Sequence, residues 1–223
     1  MSHPVPSDPN AFPAATAALS LSGPAGRLEC RVDLPETAQE RAATAVICHP
    51  HPQHGGTMRN KVVTIIERAL RESGLRTIRF NFRGAGDSEG SYADGEGELE
   101  DLLAVVEWVR RVRPDDELWL AGFSFGAWIS LRAAQQLPVR MLLSIAPPVE
   151  RYGFTELVAP NCPWLVVQGN EDDVVSPRAV QDWVEGLNPR PDFVMMENCG
   201  HFFHRRLMDL RGLIRNAVQP HLP

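Results

Sequence analysis

Leu118-Trp119-Leu120-Ala121-Gly122-Phe123-Ser124-Phe125-Gly126-Ala127 is the stretch that decides how this chain is read. The apolar run 118–121 is short and continuous, as in a strand buried on both faces, and residues 127–136 read as a helix. Between them lies Gly122-Phe123-Ser124-Phe125-Gly126, a Gly-x-Ser-x-Gly pattern. Strand, tight turn and helix is the setting of a nucleophile elbow, in which the serine sits on a sharp turn with its hydroxyl pointing out of the sheet. The two glycines let strand and helix backbones approach where a Cβ would clash. Ser124 is therefore the candidate nucleophile, and because the pattern is short, its context has to carry the assignment.

The context follows in chain order. A strand-like run, Trp164-Leu165-Val166-Val167-Gln168, leads into Gly169-Asn170-Glu171-Asp172-Asp173. A second, Phe193-Val194-Met195-Met196, leads into Glu197-Asn198-Cys199-Gly200-His201. Serine, then an acid beyond one strand, then a histidine beyond the next is the Ser, Asp, His order of one hydrolase architecture, unlike the orders of chymotrypsin-like or subtilisin-like proteases. Ser124 needs a base to take its proton, His201 can act as one near neutral pH, and Asp172 would fix the imidazole tautomer and stabilise the imidazolium. Asp173, Glu171 and Glu197 stand close enough to be alternatives for the acid.

Working outward, strands are expected at about 43–48, 75–80, 118–122, 140–145, 163–168 and 192–196. Helices are expected at about 59–73, 97–112, 125–136, 177–186 and 203–218. A hairpin from Leu19 to Leu34, turning at Gly23-Pro24-Ala25-Gly26, precedes them. Such alternation predicts an α/β fold with a mostly parallel central sheet, helices on both faces and ligands at the carboxyl ends of the strands. The chain is expected to divide into a flexible N-terminal segment, residues 1–18, and a single domain, residues 19–223. With 223 residues and 43% hydrophobic content one domain can bury a full core.

Several motifs together resemble the α/β-hydrolase superfamily. Besides the ordered Ser124, Asp172 and His201, they are His49-Pro50-His51-Pro52 after the strand at 43–48 and Asn81-Phe82-Arg83-Gly84-Ala85-Gly86-Asp87-Ser88-Glu89-Gly90 after the strand at 75–80. The likeness runs from about Gly26 to the end and is greatest to the small bacterial serine hydrolases that lack a lid. It implies acyl-ester or amide hydrolysis through an acyl-enzyme, without fixing a substrate. It also supports Asp172 as the acid, three residues after Gly169. For the oxyanion hole it implies the backbone N–H of Phe125 together with one from the loop after the first core strand, which points to His51. Pro50 and Pro52 carry no N–H, while Gly55 and Gly56 remain available if the loop curls back.

Larger members of the superfamily insert a cap domain where this chain has only residues 146–162. No cap domain is expected, so the site should be open, with Tyr152 and Phe154 as its nearest roof. Phe123 and Phe202 are further candidates for the pocket wall. A site of this kind favours small esters or other short acyl substrates, with thioesters and peptides open within the same chemistry.

Other function classes fare less well. Net charge is −6, the chain has a single lysine, and its arginines are interspersed with acids, so no nucleic-acid partner is expected. The start lacks a basic stretch followed by an apolar core, no apolar run approaches a membrane span, and Cys30, Cys48, Cys162 and Cys199 show no CxxC spacing. A cytoplasmic location without a membrane partner is the expectation. The loop 83–90 lacks the glycine spacing of a phosphate cradle, and its acids would repel a pyrophosphate, so it is read as structural. His49, His51 and His54 resemble a metallo-hydrolase loop, but Gln53 replaces the aspartate such loops carry, and the serine machinery already accounts for the segment. No metal and no cofactor are expected. A non-catalytic receptor or scaffold on the same fold is the alternative from another class, disfavoured because a candidate for every triad position is present.

Overall fold

The structure, a computed structural model, describes residues 11–35 and 40–223. The chain runs β1 (Ala17–Gly23), β2 (Gly26–Asp33), β3 (Ala43–Cys48), α1 (Lys61–Glu72), β4 (Arg76–Phe80), α2 (Glu96–Val112), β5 (Glu117–Phe123), α3 (Phe125–Ala134), β6 (Met141–Ile145), β7 (Trp164–Gly169), α4 (Pro177–Glu185), β8 (Asp192–Met196) and α5 (Leu207–Val218). The strands form one sheet in the order β1-β2-β4-β3-β5-β6-β7-β8. β2 pairs antiparallel with both β1 and β4, and every other pairing is parallel.

Alternation along the strands builds two cores. On β5, Leu118 and Leu120 face a cluster shared with α2, α3 and α4, while Trp119, Ala121 and Phe123 face one shared with α1 and α5. β3 sorts its residues likewise, Val46 and Cys48 to one side and Ala45 and Ile47 to the other. Both faces are covered, so every residue of β3 and β7 is buried, and the pattern there is apolar apart from Thr44 and Gln168.

The strand order also places the site. From β3 the chain moves to β4 on one side, then returns to put β5 on the other flank of β3. Connections leaving the carboxyl ends of β3 and β5 thus diverge, and a crevice opens between them. The β6 to β7 connection carries only a short 3-10 turn, Phe154–Glu156, and no cap domain.

Boundaries shift where local chemistry intervenes. Helix α1 begins at Lys61 because the Asn60 side chain accepts a hydrogen bond from the Val62 N–H at 2.8 Å and caps it. Helix α5 starts at Leu207 rather than near 203, since Phe203 and Arg205 have φ of 52° and 63° and cannot continue a right-handed helix. Of the expected N-terminal segment, residues 1–10 lie outside the described residues. Phe12 stacks on Trp108 with ring centroids 5.6 Å apart, and β1 opens at Ala17.

Candidate active site

Ser124 stands at the junction of β5 and α3 with φ 53° and ψ −121°, a backbone conformation costly for a residue with a Cβ. Its surroundings hold it there. The Ser124 N–H donates to Ile145 O at 2.8 Å, and Ser124 O accepts from the Ala127 N–H at 2.8 Å. A Cβ on Gly122 would lie 2.1 Å from Gly126 O, and one on Gly126 would lie 2.4 Å from Cys48 O. Both glycines of the pattern are therefore required by the close packing of β3, β5 and α3.

Asp172 lies in the loop after β7 and His201 in the loop after β8. His201 Nδ1 is 2.8 Å from Asp172 Oδ2, and His201 Nε2 is 3.2 Å from Ser124 Oγ. The remaining valences of the carboxylate are filled. Oδ1 accepts from the Val174 and Val175 N–H groups at 2.8 Å each, and Oδ2 also accepts from Gln168 Nε2 at 2.8 Å. Burial works against ionisation of Asp172, but the bond from His201, the two valine amides and the attraction of His201 outweigh it and hold the carboxyl below its usual range. An ionised carboxylate can only accept, so the imidazole proton facing it sits on Nδ1 and the Nε2 lone pair faces Ser124. Asp173, by contrast, is exposed.

A cleft of about 360 Å³ opens over these groups, lined among others by Ser124, His201, His51, Phe125, Tyr152 and Phe202. Phe125 is the first residue of α3, so its N–H has no acceptor within the helix. His51 precedes the 3-10 turn Pro52–His54, and its carbonyl accepts from the His54 and Gly56 N–H groups at 3.1 Å each. The loop does curl back, and in doing so it commits the Gly56 N–H to His51 O.

Two of the aromatic candidates stand away from the cleft. Phe154, expected in the roof, is 1% exposed and packs edge-on against Trp183 at 5.3 Å, because the turn that carries it faces α4. Phe123 is the inward-facing last residue of β5 and supports His201 from behind, with ring centroids 5.0 Å apart. Tyr152 does line the cleft, its ring stacked on Trp128 at 4.7 Å, and Phe202 lies at the rim, 45% exposed.

The three clustered histidines separate. His49 is buried, with Nδ1 donating to Pro50 O at 2.6 Å and Nε2 accepting from the Phe82 N–H at 3.0 Å. Both nitrogens are spent on backbone. Burial lowers its pKa to about 4, partly offset by the bond to Pro50. His51 and His54 adjoin each other at the cleft with centroids 4.6 Å apart, and burial, His54 and Arg151 lower the pKa of His51. Among the described residues no group of three or more His, Cys, Asp or Glu side chains is arranged to hold a metal ion.

The loop 83–90 is built into the frame. Arg83 Nε and Nη2 reach Asp101 Oδ1 at 3.1 and 2.8 Å, and the Arg83 N–H donates to Asp101 Oδ2 at 2.8 Å. Breaking a buried pair of this kind costs about 3–5 kcal/mol. Ser88 Oγ donates to Asn81 O and accepts from the Glu29 N–H, tying the loop to β2.

Sequence reasoning missed Gln168, which holds the carboxylate, and Asn60, Arg151, Val174 and Val175, which line the cleft. Asn60 had a signal, as a capping residue ahead of a helix. Arg151 had none, since a lone arginine in a loop has no periodicity.

A strained serine elbow at the switch point of a mostly parallel sheet, beside an imidazole and a carboxylate, defines the class of α/β serine hydrolases. Residues 46–161 match the alpha/beta hydrolase fold family, and the chain belongs to it. It is similar to XC6422 of Xanthomonas campestris, an α/β serine hydrolase without a lid: 52% identity, TM-score 0.93, covering 96% of this chain and 98% of that one. An α/β serine hydrolase homologue from Coxiella burnetii is 47% identical with a TM-score of 0.90, over 92% of this chain and 99% of the other. An uncharacterised Rickettsia prowazekii protein is 35% identical over 208 residues, 89% of this chain and 87% of its own length. No helix among the described residues is long and apolar enough to cross a membrane.

Proposed function

We propose that the protein hydrolyses small carboxylic esters through an acyl-enzyme on Ser124. The observation that carries this reading is the hydrogen-bonded chain from Asp172 through His201 to Ser124 Oγ, opening into a cleft without a cap. As Ser124 Oγ attacks the ester carbonyl, His201 Nε2 takes its proton, and Asp172 stabilises the imidazolium and keeps Nδ1 protonated. The N–H groups of Phe125 and His51 face the developing oxyanion, a contribution of about 3 kcal/mol per donor in comparable sites. His201 then gives its proton to the leaving alcohol oxygen. Water, deprotonated by the same imidazole, attacks the acyl-enzyme carbonyl and releases the acid and Ser124. The substrate is a small molecule, and the same steps serve thioesters and activated amides. The free Cys30, Cys48, Cys162 and Cys199 support a reducing, cytoplasmic setting, and the matched relatives support a bacterial one.

Labelling by a fluorophosphonate probe, lost in Ser124→Ala, tests the nucleophile. A series of p-nitrophenyl esters tests the acyl site: each buried methylene adds about 0.8 kcal/mol only while there is surface to meet it, so kcat/KM should peak at about two to six carbons. A peak at twelve or more carbons, or Ser124→Ala within about tenfold of wild type, would sink the reading.

A further inference from the structure

We propose that the cleft selects esters bearing a carboxylate a few carbons from the scissile bond, held by the guanidinium of Arg151; this rests on the hydrolase reading above. Among the described residues Arg151 is the one permanently charged side chain lining the cleft, and no carboxylate lines it. Among the described residues it makes no ion pair, whereas Arg76, Arg79, Arg83 and Arg132 each close on an acid. It opposes protonation of His51, and it pulls down the phenol of Tyr152 that burial raises.

A firm turn carries the side chain. The Arg151 N–H donates to Pro148 O at 2.9 Å, and Tyr152 and Gly153 follow with φ of 60° and 69°, reversing the chain. The Tyr152 ring is held on Trp128, over which Arg132 stacks at 5.0 Å. Val174 and Phe202 supply apolar surface to the same cleft. An amphiphilic ester fits this division, its carbon chain on the apolar surface and its anion on the guanidinium, where a planar fork of donors matches a carboxylate. A neutral long-chain ester would leave the guanidinium facing hydrocarbon.

The test compares two matched pairs at low salt. Monoethyl pentanedioate against ethyl pentanoate places the charge on the acyl side, and 4-acetoxybutanoate against butyl acetate places it on the alcohol side. In at least one pair the anionic ester should have a kcat/KM about tenfold or more above its neutral partner, the size of one charge-assisted hydrogen bond. That ratio, read within each protein, should fall to about one in Arg151→Ala, drop below one in Arg151→Glu, and shrink in wild type as salt is raised. No anionic preference in either pair, or a preference that survives Arg151→Ala, overturns the inference. Calorimetric titration of monoethyl pentanedioate and 4-acetoxybutanoate into Ser124→Ala and into Ser124→Ala/Arg151→Ala separates this claim from the parent one. Binding that needs Arg151, in a protein without esterase activity or probe labelling, would uphold the anion site and remove the hydrolase reading. Turnover of neutral esters with no Arg151-dependent binding of either anion would do the reverse.

Discussion

His49 and His201 are the same residue type, both buried and both placed just past the carboxyl end of a parallel strand, β3 for one and β8 for the other. Their partners make them different groups. His49 spends one nitrogen on Pro50 O and the other on the Phe82 N–H, so it joins the loop after β3 to the strand end of β4 and has no lone pair left to offer. His201 spends one nitrogen on Asp172 and presents the other to a serine hydroxyl beside the cleft. Both rings are buried, so the difference in their chemistry comes from what each ring faces.

Exchanging each histidine for alanine should break the pair apart most visibly. His201→Ala should lower kcat by about 10⁴-fold or more, as losses of the base in comparable triads do, while the melting temperature stays near wild type. His49→Ala should do the opposite. It leaves the Phe82 N–H without its acceptor and a void beside the Phe82 ring, so denaturant unfolding should show a loss of about 1–3 kcal/mol. Equal losses of activity in the two variants, at equal folded fraction, would mean the distinction drawn from their partners is wrong.

The acid that orients His201 sharpens the same comparison. Asp172→Asn should cost about 10⁴ in rate by favouring the wrong tautomer, and Asp173→Asn should stay within a few-fold, because only Asp172 meets Nδ1. Steady-state kinetics on a short aryl ester measures both. If Asp173→Asn is the damaging change, the hydrogen-bond assignment fails.

The smallest effect separates the two regions by pH. His49 has a folded pKa of about 4 against roughly 6.5 unfolded, so the unfolded chain binds the proton more readily. Stability from this group is complete above pH 6.5 and is lost as pH falls from 6.5 to 4, on the order of 3 kcal/mol in total. Asp172 has the opposite arrangement: its folded pKa is depressed, and its contribution is present above 3.8 and lost only below that value. Unfolding free energies of wild type and His49→Ala should therefore converge between pH 6.5 and 4, with the Asp172 loss appearing later. A constant difference between the two proteins across that range would contradict the neutral, buried state of His49.

Much of this architecture could be read in the chain because a parallel sheet covered on both faces leaves a simple mark. β3 was legible to the residue, and β5, β6 and β7 to within one, since nearly every position there is buried and most are apolar. The elbow was legible because Gly122 and Gly126 meet backbone oxygens so closely that no other residue fits. The start of α5 was not, for the apolar pattern of Phe202 and Phe203 continues into the helix while the backbone at Phe203 is left-handed.

Sequence by itself determined the order of strands and helices, the elbow at Ser124 and the succession of serine, acid and histidine, because those depend on local periodicity and on glycines at fixed offsets. Tertiary structure alone decided which side chains meet. Ser124 and His201 are 77 residues apart, and Asp172 and His201 are 29 apart, yet each pair closes to hydrogen-bond distance. Among the neighbouring acids the spacing from Gly169 pointed to Asp172, and what turns it inward is the assembled structure, in which the Val174 and Val175 amides and Gln168 hold its oxygens. The same holds for Phe154, which packs on Trp183, and for Arg151, left facing the cleft without a carboxylate. Loop side chains point where backbone dihedrals and distant partners direct them, and both are properties of the assembled fold.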